Sequence, residues 1–310
     1  MSTSKWTTAD IPDQSGRTVV VTGANSGIGR HAARALAGHG AHVVLAVRDP
    51  RRGEQVARDM GDGVEVERLD LADLRSVHAF ADAFARRHAG LDVLVNNAGV
   101  MALPRRETPD GFELQLGTNH LGHFALTGLL LDRLLARPQS RVVTVSSQMH
   151  RTGRIDFDDL QGERGYGRWR AYSQSKLANV LFAFELQRRV DAADLPLISA
   201  AVHPGYAATN LQRRGPEMEG SRVRGLLMRA GNVLFAQSDE MGALPTLYAA
   251  TAPDLPGSAF VGPDGMGERR GHPRLTAPSA AAADEGVARR LWEVSEQLTG
   301  VRYDFAPVAA

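Results

Sequence analysis

Tyr172 and Lys176 stand four residues apart in Tyr172-Ser-Gln-Ser-Lys-Leu-Ala-Asn-Val-Leu-Phe. The run is strongly helical in character, so both side chains project from one helix face. A phenol titrates near ~10 and is a poor base at neutral pH, but an ammonium fixed beside it favours the phenolate. Lowering that value by about 3 would correspond to roughly 4 kcal/mol. Such a pair suits general acid/base work at an alcohol or carbonyl oxygen. Spacing alone also allows a plain surface contact. Tyr166 is the rival phenol, with Arg170 four residues on, but Gly165, Gly167 and Trp169 around it do not read as a stable helix. A third group is offered by Ser146-Ser147, where the apolar run Arg141 to Val145 ends. A hydroxyl there can polarise a carbonyl oxygen, or it can bond its own backbone in a turn.

A second kind of chemistry is written in Thr22-Gly23-Ala24-Asn25-Ser26-Gly27-Ile28-Gly29, between an apolar run and a helical stretch. Glycines at a strand-to-helix turn let the backbone approach a pyrophosphate, and the helix N-terminus supplies free amides and a positive dipole end. In a chain with 32 glycines such a turn is weak evidence by itself. Its place on the first strand-to-helix turn gives it weight.

These groups need a scaffold, and the sequence provides one by alternation. Apolar, β-branched runs at Thr18 to Val21, His42 to Val47, Val64 to Leu69, Leu91 to Val95, Arg141 to Val145 and Pro196 to Val202 predict strands. Helical patterns lie between them at about 28 to 39, 50 to 60, 73 to 88, 109 to 136 and 172 to 192. The expected fold is α/β, a doubly wound, mostly parallel sheet flanked by helices in a single domain over residues 1–310. Residues 205–240 are less regular, and Leu226, Leu227, Met228, Leu234 and Phe235 either cover a substrate or extend the core. Residues 283–299 read as a C-terminal amphipathic helix.

The spacing Gly-x3-Gly-x-Gly, the strand end Asn96-Asn97-Ala98-Gly99, the pair Tyr172 and Lys176, and His203-Pro204-Gly205 with Thr209 occur in that order over nearly the whole chain. Together they resemble the short-chain dehydrogenase/reductase family. The resemblance implies a Rossmann-type sheet of seven strands and a nicotinamide dinucleotide cofactor. It places the pyrophosphate against Gly23, Asn25, Ser26, Gly27, Ile28 and Gly29, the adenine beside Asp70 and Leu71, and the cleft wall at Asn97, Ala98 and Gly99. Pro204, Gly205 and Thr209 would border the nicotinamide. It also implies Tyr172 as the proton donor or acceptor, Lys176 as a second contact to the nicotinamide ribose, and Ser147, second of its pair, as the carbonyl-orienting hydroxyl. Asn119 would interrupt its helix and hold a water linking Lys176 to solvent. In the family an acidic side chain at the end of the second strand grips the adenosine ribose; here Val47 takes that place and Arg48 follows, which favours NADP(H). Asp49 either caps the helix that Pro50 begins or contacts the ribose, and Asp70 is open to a helix-start reading as well.

From Ser147 to Tyr172 is 25 residues, about a dozen more than in the shortest relatives. The extra stretch, with the run after Tyr172, resembles a branch that holds retinol dehydrogenase-like enzymes, the WW-domain oxidoreductase and protochlorophyllide reductase. Members of that branch often carry a membrane anchor or cysteines near the substrate, and this sequence shows neither. The expected activity is hydride transfer between the nicotinamide and a carbonyl or alcohol of a hydrophobic small molecule. Reduction of a conjugated carbon-carbon double bond is an alternative, as is a non-catalytic NADP-binding regulator. His120 and His123 are spaced to share a metal, but no carboxylate lies nearby and the chemistry needs none, so no metal is expected. With 36 Lys and Arg against 35 Asp and Glu, neither nucleic acid nor a membrane surface is an expected partner. The absence of cysteine excludes disulfides and thiolate chemistry. A cytoplasmic protein is expected, and many relatives pair as dimers or tetramers through the helices at 109 to 136 and 172 to 192.

Overall fold

The computed structural model describes residues 5–206, 237–265 and 267–306. Strands β1 (Thr18–Thr22), β2 (His42–Val47), β3 (Val64–Arg68), β4 (Val93–Asn96), β5 (Ser140–Val145), β6 (Leu197–Val202), β7 (Phe260–Gly265) and β8 (Arg270–Leu275) form one sheet in the order β3-β2-β1-β4-β5-β6-β7-β8. All neighbours run parallel except β7 and β8. The order reverses between β1 and β4, and a doubly wound sheet opens a crevice there, outside the carboxyl ends of its strands.

The apolar runs make this sheet because both of its faces are buried. Val19 and Val21 pack with Ile28, Ala32, Ala33 and Leu36 of α1 (Gly27–Gly38), while Val20 between them faces Phe80 and Phe84 of α3 (Leu74–Arg87). Side chains alternate across a strand, so three successive valines feed two cores, each burial contributing roughly 1.5 to 3 kcal/mol. Between α1 and α3 lies α2 (Pro50–Ala57).

The doubly wound architecture is as expected, with one strand more than the seven foreseen. β8 escapes a reading by apolar runs because it is an edge strand of Arg, Gly, His and Pro, the composition that keeps an open edge from pairing with other chains. The helical pattern at 109 to 136 is four pieces, α4 (Leu114–Leu116), a π-helical turn at Gly117–Leu121, α5 (Gly122–Leu129) and α6 (Leu131–Leu135), and the turn falls at Asn119, where an interruption was expected. The helix carrying Tyr172, α7 (Arg168–Ala192), begins four residues earlier than its pattern indicated. After α8 (Asp239–Thr251), the last helix among the described residues is α9 (Glu285–Thr299), where an amphipathic helix was expected.

Helix α9 packs on α7 and α5, with Trp292 5.1 Å from Phe124 and 5.8 Å from Phe182 between ring centroids. Tyr303 seals the cluster by donating to the Phe124 carbonyl at 2.7 Å. The faces expected to pair subunits are therefore partly covered by the chain's own C-terminal helix. Among the described residues no helix is long and apolar enough to cross a membrane.

Candidate active site

The crevice at the strand ends is a cavity of about 600 Å³. One end is lined by the glycine turn with Arg48, Asp49, Arg52 and Asp70, the other by Ser147, Tyr172, Lys176, Pro204 and Gly205. Leu71, Asn97, Ala98 and Gly99 form the wall between them. Apart from Asn119, every catalytic or cofactor-binding residue expected from the sequence and lying in the described region lines this one space. Thr209 and the apolar residues at 226 to 235 lie outside the described residues.

The glycine turn is shaped by contacts a side chain would destroy. Gly23 has φ +67°, and a Cβ there would stand 2.9 Å from the Cβ of Ala98; one on Gly29 would drive into the Asn97 amide and the Gly23 carbonyl. Asn97 is itself fixed, since its amide nitrogen donates to the Thr22 carbonyl at 2.7 Å and its backbone to the Thr22 hydroxyl at 2.9 Å. Helix α1 thereby sits close against the end of β4. Ser26 at its N-cap is extended and its hydroxyl makes no capping bond, so the first-turn amides of Gly27, Ile28 and Gly29, residues that line the cavity, are not capped by it.

At the ribose end, Val47 is buried in the core and cannot reach a ligand. Arg48 is exposed on the cavity rim. Asp49 occupies the N-cap of α2 but makes no side-chain cap bond; its carboxylate pairs with Arg52 at 3.4 Å instead. The capping reading of Asp49 thus gives way to an ion pair one turn along. Asp70 is not a helix cap either: it accepts from the Ala72 amide at 3.1 Å, and Asp73 caps α3.

At the other end, the two adjacent serines separate cleanly. Ser146 donates to the Lys176 carbonyl at 2.6 Å and tacks α7 to β5. Ser147 faces the cavity, accepts from the Met149 amide at 3.2 Å and hydrogen-bonds the Tyr172 hydroxyl. Lys176 Nζ donates to the Val145 carbonyl at 3.0 Å and lies 5.9 Å from the Tyr172 ring centroid. Burial pushes Tyr172 up to about 12, with the Ser147 bond opposing, and pushes Lys176 down to about 8. The lowering of the phenol expected from its neighbour is therefore outweighed: desolvation penalises both charged forms, and the ammonium is turned towards a carbonyl rather than the phenol.

Asn119 lies inside the π-helical turn, behind the cavity wall. Its side chain accepts from the Val100 amide at 2.7 Å and donates to the Val100 carbonyl and the Ser175 hydroxyl, each at 2.9 Å. Its own carbonyl oxygen is engaged by His123 Nδ1 at 3.0 Å. Asn119 thus braces the segment after Gly99 against α7. Tyr166 is committed elsewhere: its hydroxyl contacts the Leu103 carbonyl at 2.9 Å and Glu113 at 3.1 Å, and burial holds it far above an ordinary phenol. His120 and His123 do not converge on a metal, because the first bonds Ser295 at 2.9 Å and the second Thr22 at 2.9 Å.

The profile of the short chain dehydrogenase family matches residues 17–220. The chain belongs to this family. Human retinol dehydrogenase 13 is 42% identical over 94% of this chain and 86% of its own length. A crystallised uncharacterized protein from Mycobacterium Paratuberculosis is 50% identical, covers 97% of this chain and 99% of its own, and superposes with a TM-score of 0.82. A structure from Beutenbergia cavernae, described as an NAD(P) dependent gluconate 5-dehydrogenase with NADP bound at low occupancy, is 27% identical over 79% of this chain and 94% of its own, with a TM-score of 0.60. As a short chain dehydrogenase the protein is an oxidoreductase of alcohols and carbonyls that works with a nicotinamide dinucleotide.

Several lining residues of this dehydrogenase were not foreseen. Arg52 stands four residues after Arg48, a spacing that would have flagged it once α2 was placed. Met101, Met149, Trp169 and Tyr206 surround the end that holds Tyr172, and Trp169 meets the Tyr172 ring edge-on at 6.3 Å. Trp169 does not read as a site residue in the sequence because the glycines before it hide the start of α7.

Proposed function

We propose that the protein is an NADP(H)-linked oxidoreductase that interconverts a carbonyl and an alcohol on an apolar small molecule, with Tyr172 as the general acid and base. The observation that carries this reading is the convergence of Tyr172, Ser147 and Lys176 at one end of a single cavity that has Arg48 and Arg52 at the other.

The residues fit a dinucleotide. The glycine turn brings backbone and helix dipole to a pyrophosphate, and the two arginines supply charge where a 2′-phosphate would lie. The cofactor, when bound, supplies or accepts the hydride. The chain's residues manage the oxygen and its proton. Ser147 donates to the carbonyl oxygen and orients it. Tyr172, held at about 12, remains a protonated acid at neutral pH and gives its proton to that oxygen as the alcohol forms. Lys176, at about 8, carries its charge near neutrality and steadies the phenolate left behind. Asn119 holds the wall against which Lys176 rests.

Met101, Met149, Trp169 and Tyr206 give the catalytic end an apolar rim, and the likeness to retinol dehydrogenase 13 supports a long apolar alcohol or its aldehyde as substrate. The test is titration of the purified protein with NADPH and NADH, then a screen of retinal, other apolar aldehydes and ketones by loss of 340 nm absorbance. NADPH preference with turnover of an apolar carbonyl is expected, as is loss of turnover with retained cofactor binding in Tyr172→Phe. Full activity of that variant removes Tyr172 from the mechanism.

A further inference from the structure

At the opposite end of the sheet, His42, Glu65 and His88 bring two imidazoles and a carboxylate together, with their ligand atoms all within 4.8 Å of one another. The three come from separate elements. His42 opens β2, Glu65 is the second residue of β3, and His88 follows the last residue of α3. Register places them on one face: Glu65 pairs with Val44, and His42, two residues before Val44, points the same way. Helix α3 packs on that face and delivers His88, whose ring stacks on Phe84 at 4.4 Å.

The polar accounting around the three is incomplete. Glu65 Oε1 accepts from His88 Nε2 at 2.7 Å, but His42 Nε2, 3.6 Å from the same oxygen, is buried and has no hydrogen-bond partner. A ring nitrogen in that state calls for a third party between it and the carboxylate. The other carboxylate oxygen, Oε2, faces Arg87 at 3.9 Å, and Arg87 also pairs with Glu67. Glu65 is thereby oriented from outside while Oε1 is kept towards the histidines, the arrangement in which an outer partner fixes a metal-binding carboxylate.

We propose that His42 Nε2, Glu65 Oε1 and His88 Nε2 form a site for a divalent transition cation of the Zn²⁺ class. Two neutral imidazoles and one carboxylate suit Zn²⁺, Co²⁺ or Ni²⁺ and do not suit Mg²⁺, which prefers an all-oxygen octahedron. With bonds of about 2.1 Å, tetrahedral ligand atoms stand roughly 3.4 Å apart, so His42 Nε2 is already near its place beside Glu65 Oε1, while His88 Nε2 and Glu65 Oε1 separate from 2.7 Å as the ion replaces the hydrogen bond between them, and solvent takes the fourth position. The ion joins edge strand β3 to β2 and to the end of α3. It lies the length of β2 away from the cavity, so its role is structural and separate from hydride transfer.

The test uses tag-free full-length protein stripped with a chelator and titrated by calorimetry with Zn²⁺ and, separately, Mg²⁺, followed by thermal melts. One Zn²⁺ per chain, a raised Tm with Zn²⁺ and no response to Mg²⁺ are expected. The double variant His42→Ala with His88→Ala should lose this binding. Glu65→Gln, which keeps the shape of the side chain, should weaken it by at least about tenfold. Carbonyl reduction should be unchanged in all of them. Equal Zn²⁺ binding by wild type and Glu65→Gln, or no stoichiometric binding by the wild type, would overturn the proposal even if the double variant fails to fold.

Discussion

The Lys176 ammonium is aimed at the Val145 carbonyl, 3.0 Å away, while the ring of Tyr172 lies beside it at 5.9 Å. A buried ammonium held this way has a cost to folding. The unfolded chain keeps its proton up to the ordinary 10.5 and the folded chain only to about 8, so below pH 8 burial of the charge opposes folding by on the order of 3 kcal/mol. That cost fades as pH rises from 8 to 10.5. Lys176→Met, one atom shorter and unbranched, keeps most of the packing and loses one hydrogen bond, worth about 1 kcal/mol. The Val145 carbonyl still accepts from Asn179 at 3.0 Å. The variant is expected to be inactive yet to melt a few degrees higher than wild type at pH 7, with the gap closing near pH 10. Calorimetric melts at both pH values check this, and a lower Tm at pH 7 refutes it.

Arg48, just before α2, and Arg52, in its first turn, both line the cavity, and Arg52 already holds Asp49. A 2′-phosphate placed there would be met by two guanidinium groups rather than one. The double variant Arg48→Ala with Arg52→Ala should therefore weaken NADPH binding by roughly ten- to a hundredfold, the range for one or two charge-assisted hydrogen bonds on an exposed rim, and leave NADH nearly unaffected. Fluorescence titration of both cofactors makes the comparison. Equal losses for both would show that these residues support the turn and do not read the phosphate.

Local pattern made much of this site legible. The glycine turn, the Tyr172 and Lys176 spacing and the strand ends are all properties of short stretches, and the alternation of apolar runs gave their common scaffold. What stayed hidden depends on distant partners. The resemblance placed an interruption at Asn119, but its form, a π-helical turn at Gly117–Leu121 fixed by Asn119 reaching Val100, and the close approach of Gly122 to the Leu71 carbonyl do not show in a helical period. The resemblance picked Ser147 over Ser146, but the physical reason, Ser146 bonding the Lys176 carbonyl 30 residues along the chain, is not local. The burial that raises the Tyr172 phenol in the protein alone is hidden as well, because spacing reveals a neighbour but not desolvation. β8 and the residues at its turn carry no apolar signal at all, although they touch the catalytic end.

Those turn residues lead to a third prediction. Glu268 Oε2 lies 3.2 Å from His203 Nε2 and 3.1 Å from Arg151 Nη2, and the Gly267 carbonyl accepts from Gln148 at 2.7 Å. The Tyr206 amide donates to the Arg269 carbonyl at 2.7 Å. The turn between β7 and β8 therefore grips both the segment after Ser147 and the segment holding Pro204 and Gly205. Glu268→Ala should lower kcat about tenfold or more by loosening the Ser147 hydroxyl, while cofactor affinity at the Arg48 end changes little. Steady-state kinetics with a cofactor titration separates the two. A variant with unchanged kcat would show that the backbone contacts of the turn suffice.

Acid should weaken the fold through His120 and His123. Both are fully buried and uncharged, pushed down by desolvation to about 3 and about 4, and each makes a hydrogen bond that leaves little room for a second proton. The unfolded chain takes up those protons near 6.5 and the folded chain only at about 3 to 4, so the stability they contribute is full above pH 6.5 and is lost as pH falls towards 4. At pH 5 each has given up about 2 kcal/mol, roughly 4 kcal/mol together. Glu113 acts against this, since burial raises its carboxyl and favours the protonated folded form. Denaturant melts at pH 7 and pH 5 should show the net fall, to which buried His203 adds, and His120→Gln, which can keep a bond to Ser295, should remove the roughly 2 kcal/mol that one such histidine gives up. If the variant loses as much stability between the two pH values as wild type does, His120 is not among the groups that take up the protons.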